Sequence, residues 1–305
     1  MHDRQSVSLD SLRARRGDDA AGHVFFGLIV GAVVLAFLMV GAVGVDVVAE
    51  SWSVLSDRAW DFLTSPTSQN PDKAGVAQGI RGSLLIAGIV MLTFPVGIGA
   101  AIYLEEYAND SWLSRTIQVT VRNLAGVPSI VYGLLGLAVF VQGLGGITGG
   151  RSVIAGGLAI AILVLPIVII TTAEAIRAVP TPLREGAYGL GATQWEVIRS
   201  QVLPAALPGI LTGTVLSIAR AVGEAAPLLV IGAVGFYTTG NNDFIEQLQG
   251  AFTALPMLIT SFARLPAEIW RPHAAATSVV LLLLVFLINL VTIIVRARIS
   301  KRLGR

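Results

Sequence analysis

The 305-residue chain contains no cysteine, which removes disulfide frameworks, thiolate nucleophiles and cysteine metal sites at once. Lysine is nearly absent too, occurring only at Lys73 and Lys301. Neither stands in a GxxxxGK[ST] context, so a Walker A phosphate loop is excluded. Charge of either sign is scarce: 13% of residues are charged against about 25% in an ordinary soluble domain. The 21 basic and 19 acidic residues leave a net charge of +2, which gives no electrostatic footprint for nucleic acid. What fills the space is apolar, with 54% hydrophobic residues and a mean hydropathy of +0.76. This is the composition of a chain whose solvent is lipid.

A bilayer core about 30 Å thick takes roughly 20 apolar residues per helix. Charge-free runs lie at 24–45, 83–104, 123–150, 152–173 and 274–295, and a sixth at 207–235 is equally apolar but holds Arg220 and Glu224. The expected fold is therefore an all-α membrane protein with six transmembrane helices. A tail at 1–23 precedes the first helix at 24–45. An extramembrane loop at 46–78 follows, with Trp52 and Trp60 placed as an interfacial belt. The main membrane domain covers 79–296, with helices near 83–104, 123–146, 152–178, 207–235 and 274–295 and a polar loop at 179–206. A basic tail closes the chain at 297–305. The short apolar stretch 251–263 contains Pro256 and is expected to be interfacial or re-entrant.

Arg13, Arg15 and Arg16 precede the first run, and Val47-Val48-Ala49 follows it like a cleavage site. A run of 22 residues nevertheless exceeds the 7–15 of a secretory signal, so it is expected to stay as an anchor. With the N-terminus in the cytoplasm, 14 Lys and Arg fall on the inner side and 6 on the outer, apart from Arg220 inside a span. The positive-inside rule then places both termini in the cytoplasm.

The 179–206 loop carries more local signals than a linker needs. Thr181 and Pro182 can start a helix that Gly189 and Gly191 end. Thr193-Gln194-Trp195-Glu196 reads as a capping box opening a second helix, expected to stop near Val202 before Pro204. Within the fifth span, Arg220 and Glu224 are one helical turn apart, and Gly213 and Ser217 continue that face. Each charge at a helix centre costs about 2.5–3.5 kcal/mol on insertion scales, so the pair is expected to face a bundle interior or a wet cavity. A guanidinium offers a rigid donor fork to oxyanions. Two readings of the pair stand side by side: an oxyanion pathway, or a structural lock between helices. Gly126, Gly133, Gly136, Gly156 and Gly157 are read as close helix contacts. Pro95, Pro128, Pro166 and Pro227 mark possible kinks, and Glu105-Glu106 a solvated helix end. His2, His23 and His273 are scattered and assemble no metal or catalytic constellation.

Glu185-Gly186-Ala187, then Gly191, then Leu203-Pro204 resembles the EAA motif of ABC-importer permeases. Gly186 departs from it where alanine is usual, and Gln201 where isoleucine is usual. The stretches 103–110, 122–140, 174–193 and 203–229 resemble the PstA-type permease subunit of phosphate-specific ABC importers. That resemblance implies the type I importer permease architecture and inward transport of inorganic phosphate through a bacterial plasma membrane. It implies that Glu185, Gly186, Ala187, Gly191, Leu203 and Pro204 form the loop gripping an ATPase. It also favours a substrate-pathway role for Arg220, Glu224 and Ser217. The chain would be a non-catalytic subunit with no cofactor of its own, ATP and Mg being used by two PstB-type ATPase subunits. A homologous PstC-type permease and an extracytoplasmic PstS-type phosphate-binding protein would complete the assembly. A permease for another oxyanion or small solute, or an ion-coupled carrier acting alone, are the competing functions. An intramembrane hydrolase lacks both a GxSxG nucleophile and a histidine at membrane depth.

Overall fold

The computed structural model describes residues 20–235 and 244–302, all of whose regular structure is helical. Arg4, Arg13, Arg15, Arg16 and His2 of the N-terminal tail lie outside the described residues, as do 236–243 and the last residues of the basic C-terminal tail. The chain divides into two compact units, Met1–Ala49 and Glu50–Arg305, and helix α1 (Ala20–Thr64) runs through the boundary. In the first unit every residue of the 24–45 run is exposed. An apolar helix with no protein cover suits lipid contact on all sides.

The helix does not end where the loop was expected. From Val45 to Thr64 neither proline nor glycine follows the last apolar turn except outside the helix, so acids and tryptophans continue it to Thr64. Only Arg58, at φ −145° and ψ 36°, interrupts the helical geometry. Arg58 instead donates to the carbonyls of Pro71 and Ala74 at 2.8 and 2.5 Å, folding the short 310 turn Pro71–Lys73 back against the helix.

The second unit continues with α2 (Ala77–Met91), α3 (Phe94–Ile102), α4 (Trp112–Ala125), α5 (Ser129–Gly136), the short α6 (Gly145–Thr148) and α7 (Val153–Arg177). Then come α8 (Thr181–Gly189), α9 (Gln194–Val197), α10 (Leu203–Gly223), α11 (Ala226–Ile231), α12 (Phe244–Gln249), α13 (Leu255–Ala263) and α14 (Arg271–Arg302). Five stretches are long and apolar enough to cross a bilayer: Gly22–Thr64, Ala77–Tyr107, Val153–Arg177, Gln194–Gly223 and Glu268–Arg298. The expected third span is not one straight helix. It is the pair Trp112–Ala125 and Ser129–Gly143, bent by 102° at Gly126–Pro128, and becomes a sixth crossing only if the pair is counted as one. Pro128 has no N–H to continue the ladder and disfavours helical geometry at the residue before it, so the bend is written into the sequence.

Helix α7 is the most buried of the long helices, and the largest apolar cluster gathers around its Ile160, Val164 and Val168. In lipid, apolar surface gains little by leaving its solvent, so close van der Waals contact carries the association. A Cβ on Gly156 would meet Phe252 at 2.7 Å, on Gly157 would meet Ile89 at 2.7 Å, and on Gly136 would meet Ala159 at 2.6 Å. Gly133 likewise seats Pro227, whose Cα would stand 2.8 Å from an added Cβ. Gly126 differs from these: it lies at the bend and touches only its own helix end. A second cluster joins Val54 and Phe62 of α1 to α13 and α14, with His273 buried among the rings of Phe62, Phe262 and Trp270. The 251–263 stretch is packed into the protein. Phe252, Thr253, Leu255, Leu258 and Phe262 are buried, and Leu255 donates its backbone N–H to Ser83 at 3.0 Å.

Candidate functional site: a broken helix with an ion pair and a paired-helix loop

Two separate constellations carry chemistry, and α10 connects them. Its first residue, Leu203, borders the polar loop, while Arg220 lies 17 residues on, about 25 Å at 1.5 Å per residue.

At the far end the fifth span breaks. Helix α10 stops at Gly223, Glu224 adopts extended geometry at φ −79° and ψ 119°, and α11 restarts at Ala226 with Pro227 in its first turn. Glu224 is therefore not a helical neighbour of Arg220. The turn still returns its carboxylate to the guanidinium, with Oε1 3.3 Å from Nε. Within this chain the Arg220 side chain is 45% exposed and that of Glu224 18%. Ser217 goes elsewhere: it is fully buried, and its hydroxyl has no hydrogen-bond partner among the described residues. Gly213 shares that inward direction, since a Cβ there would stand 2.3 Å from Oγ1 of Thr171. The expected Gly-Ser-Arg-Glu face is thus divided, its first half packed on α7 and its second half open. Beside it a mainly apolar groove of about 610 Å³ runs between α7, α10 and α14, with Thr171, Glu174, Thr212 and Asn289 as its polar lining residues. The Asn289 Oδ1 is buried without a hydrogen-bond partner among the described residues. A lone amide in the apolar run 274–295 was its visible signal in the sequence.

The loop at the near end holds the two expected helices, α8 and α9. Pro180, not Thr181, occupies the cap of α8, and no side chain caps it, because Thr181 already belongs to the helix. Gly191, at φ +85°, reverses the chain after α8. The capping box is present: Thr193 Oγ1 accepts from the Glu196 N–H at 3.4 Å, and Glu196 Oε2 accepts from the Thr193 N–H at 2.7 Å. The second helix does not stop before Pro204. A widened turn at Ile198–Val202, closed by the Leu203 N–H on the Ile198 carbonyl, carries it straight into α10. The extra residue in that turn moves the carbonyl that the Pro204 ring would otherwise strike.

Glu185, Gly186 and Gly191 are exposed, while Ala187, Leu203 and Pro204 are half-buried. Around them Leu190 is 90% exposed, Trp195 53% and Tyr188 46%, an uncovered apolar face on a polar loop. A Cβ on Gly186 would touch nothing within 4 Å, so this chain's own packing makes no demand for glycine there. Glu105 and Glu106 are not a solvated helix end. Their side chains are 12% and 8% exposed and pair with Arg177 and Arg184, contacts that bring together residues 72 and 78 positions apart and leave no local pattern. Among the described residues no group of three or more His, Asp or Glu could hold a metal ion.

Residues 93–305 match the family described as binding-protein-dependent transport system inner membrane component. The phosphate transport system permease protein PstA 1 of Mycobacterium tuberculosis is 34% identical over 296 residues, covering 96% of this chain and 92% of the relative. The phosphate transport system permease protein PstC of Mesorhizobium japonicum is 31% identical over 307 residues, covering 92% and 91%. A chain of a bacterial alginate ABC transporter, solved with its alginate pentasaccharide-bound periplasmic protein, shares the fold with a TM-score of 0.64 at 16% identity, covering 91% of this chain and 95% of that one. The chain belongs to the binding-protein-dependent transport system inner membrane component family, and is a multi-pass bacterial membrane permease subunit of an ABC importer.

Proposed function

We propose that this permease moves inorganic phosphate into the cell, with Arg220 as the group that meets the anion. The observation that carries the reading is the half-exposed guanidinium at a helix break inside a membrane-spanning segment. A charge at that depth is costly unless it faces protein or water, and broken helices at mid-membrane are a recurrent way to build transporter sites. Guanidinium stays protonated throughout the physiological range and presents paired N–H donors to phosphate oxygens. Glu224 occupies the cation when no substrate is present, so an arriving anion must displace it. That competition keeps binding weak enough for release. The 34% identical phosphate permease supports this substrate over other oxyanions.

Energy is supplied from outside the chain. Two partner ATPase subunits hydrolyse ATP with Mg²⁺ and dock on the α8–α9 loop through Glu185, Gly186, Ala187, Gly191, Leu203 and Pro204. The exposed Leu190, Trp195 and Tyr188 support such a partner, since uncovered apolar patches rimmed by polar residues mark interaction sites. Because α9, the widened turn and α10 are continuous, displacement of the loop reaches Arg220 along one helix. Alternation between inward- and outward-open states then exposes the site to each side in turn. The loop and both termini face the cytoplasm. A second, similar permease supplies the facing wall of the pathway, and an external binding protein delivers phosphate.

The test is labelled-phosphate uptake by proteoliposomes holding the other subunits, with and without this chain. Arg220→Ala is expected to abolish uptake while the complex still assembles. Normal uptake by Arg220→Ala rules out the pathway role. Uptake of labelled sulfate in place of phosphate would move the assignment to another oxyanion.

A further inference from the structure

The turn Tyr103–Tyr107, at the end of α3, carries two consecutive carboxylates that the import reading leaves unused. Adjacent residues of a helix project roughly 100° apart, so one turn can address two partners. Glu105 accepts a forked pair of bonds from Arg177, Nε to Oε2 at 2.7 Å and Nη2 to Oε1 at 2.5 Å. Glu106 stands 3.1 Å from Nη2 of Arg184, which also donates to the Ile176 carbonyl at 2.8 Å. The backbone carbonyl of Glu106 accepts from the side-chain amide of Gln194. One turn thus grips the last residue of α7, the middle of α8 and the first residue of α9.

Packing alone does not hold α8, which has no buried residue. The second loop helix differs, since Val197 and Val202 are buried in a small apolar cluster with Ile176 and Ala206, and Ile198 is buried as well. Beyond the edge contact of Ala187 with that cluster, α8 is tied to the membrane helices through Arg184, by its ion pair with Glu106 and its bond to the Ile176 carbonyl. A carboxylate largely shut off from water strongly favours keeping its cationic partner.

We propose that Glu105 and Glu106 are a transmission clamp: positioning residues that make the α8–α9 loop and the Phe94–Tyr107 helix move as one body during the transport cycle. The inference rests on the reading of that loop as the ATPase contact. Without the clamp, α8 follows the ATPase while the second span stays behind, and hydrolysis continues without transport.

The test uses the complete importer in proteoliposomes, reading labelled phosphate taken up and ADP formed in the same sample. Glu106→Gln and Arg184→Gln are each expected to retain the ATPase on purification yet to lower phosphate moved per ATP about tenfold. The charge-exchanged pair Glu106→Arg with Arg184→Glu is expected to recover most of that loss. Unchanged phosphate per ATP in both single variants overturns the clamp. So does an exchanged pair that assembles but couples no better than the worse single. The absence of native cysteine allows a second measurement independent of charge. Glu106→Cys with Arg184→Cys, joined by a short bifunctional thiol reagent, is expected to transport better cross-linked than free. Arrest of uptake on cross-linking overturns the clamp. Gly191→Trp separates this inference from the one beneath it. If Gly191→Trp uncouples and the clamp variants do not, only the clamp fails. If Gly191→Trp couples normally, the docking reading fails and the clamp falls with it.

Discussion

In the proposed mechanism Arg220 and Gly191 act through opposite properties, a charge that lipid rejects and a backbone that side chains reject. Lysine at 220 keeps the charge but replaces a planar fork by a point donor. Arg220→Lys is therefore expected to retain assembly and lose most uptake, checked by labelled-phosphate transport at matched complex levels. Glu224→Gln removes the internal competitor for the guanidinium. It is expected to tighten phosphate retention and slow turnover, seen as a lower apparent KM with a lower maximal rate. An unchanged KM would mean that the pair is a structural lock. At Gly191 the φ of +85° is the constraint, because an added Cβ meets nothing within 4 Å. Gly191→Ala is expected to cost about 1 kcal/mol through backbone strain alone. The measurable outcome is partial uncoupling of ADP formation from uptake, smaller than for Gly191→Trp. Ser217 differs from Arg220 on the same helix: it is fully buried within this chain, while the guanidinium is half exposed.

At the scale of elements, breaks in helices matter more than the helices. Pro128 folds the third apolar run by 102°, Pro227 begins the helix beyond the Glu224 turn, and Pro95 restarts the second span after Leu92–Thr93. Pro166 and Pro208, by contrast, sit inside continuous helices. The short α11 is held by Gly133 and Gly136 of α5, where there is no room for a larger residue. Gly133→Val is expected to push Pro227 away and destabilise the complex by about 1–3 kcal/mol, as overpacking does elsewhere. A lowered thermal midpoint in detergent, together with reduced uptake, checks it. An unchanged midpoint would mean that the contact yields freely. The proline at the start of α10 has the reverse effect of the others. Pro204 is absorbed by a widened turn, so the loop's second helix and the fifth span form one lever.

For the whole molecule, the proposed arrangement is one of a driven loop and a distant anion site joined through the continuous α9 and α10. The proposed orientation, with both ends cytoplasmic, rests on the distribution of arginine read by the positive-inside bias. Because no cysteine is present, single cysteines introduced for Leu190 and for Trp60 can be labelled separately in intact cells. A membrane-impermeant thiol reagent is expected to modify the residue at 60 and to spare the one at 190 until the membrane is opened. The opposite pattern would invert the topology and with it the direction of transport. Removal of the chain from the reconstituted importer is expected to leave no phosphate uptake above background.

Composition and hydropathy by themselves determined that the chain is a helical membrane protein, because 20 apolar residues without charge have few other solvents. Local chemistry determined the helix pair of the loop, since a capping box and a glycine at positive φ act over three or four residues. The tertiary structure alone decided which polar groups meet. Glu105 and Glu106 find their arginines across 72 and 78 residues of chain. Glu224 reaches Arg220 through a turn that ends the helix and not along its face. Ser217 is fully buried, and Gly213 one turn before it lies close against Thr171 of α7. Periodicity describes how residues are arranged around their own helix axis; the direction each face takes depends on the neighbour that covers it.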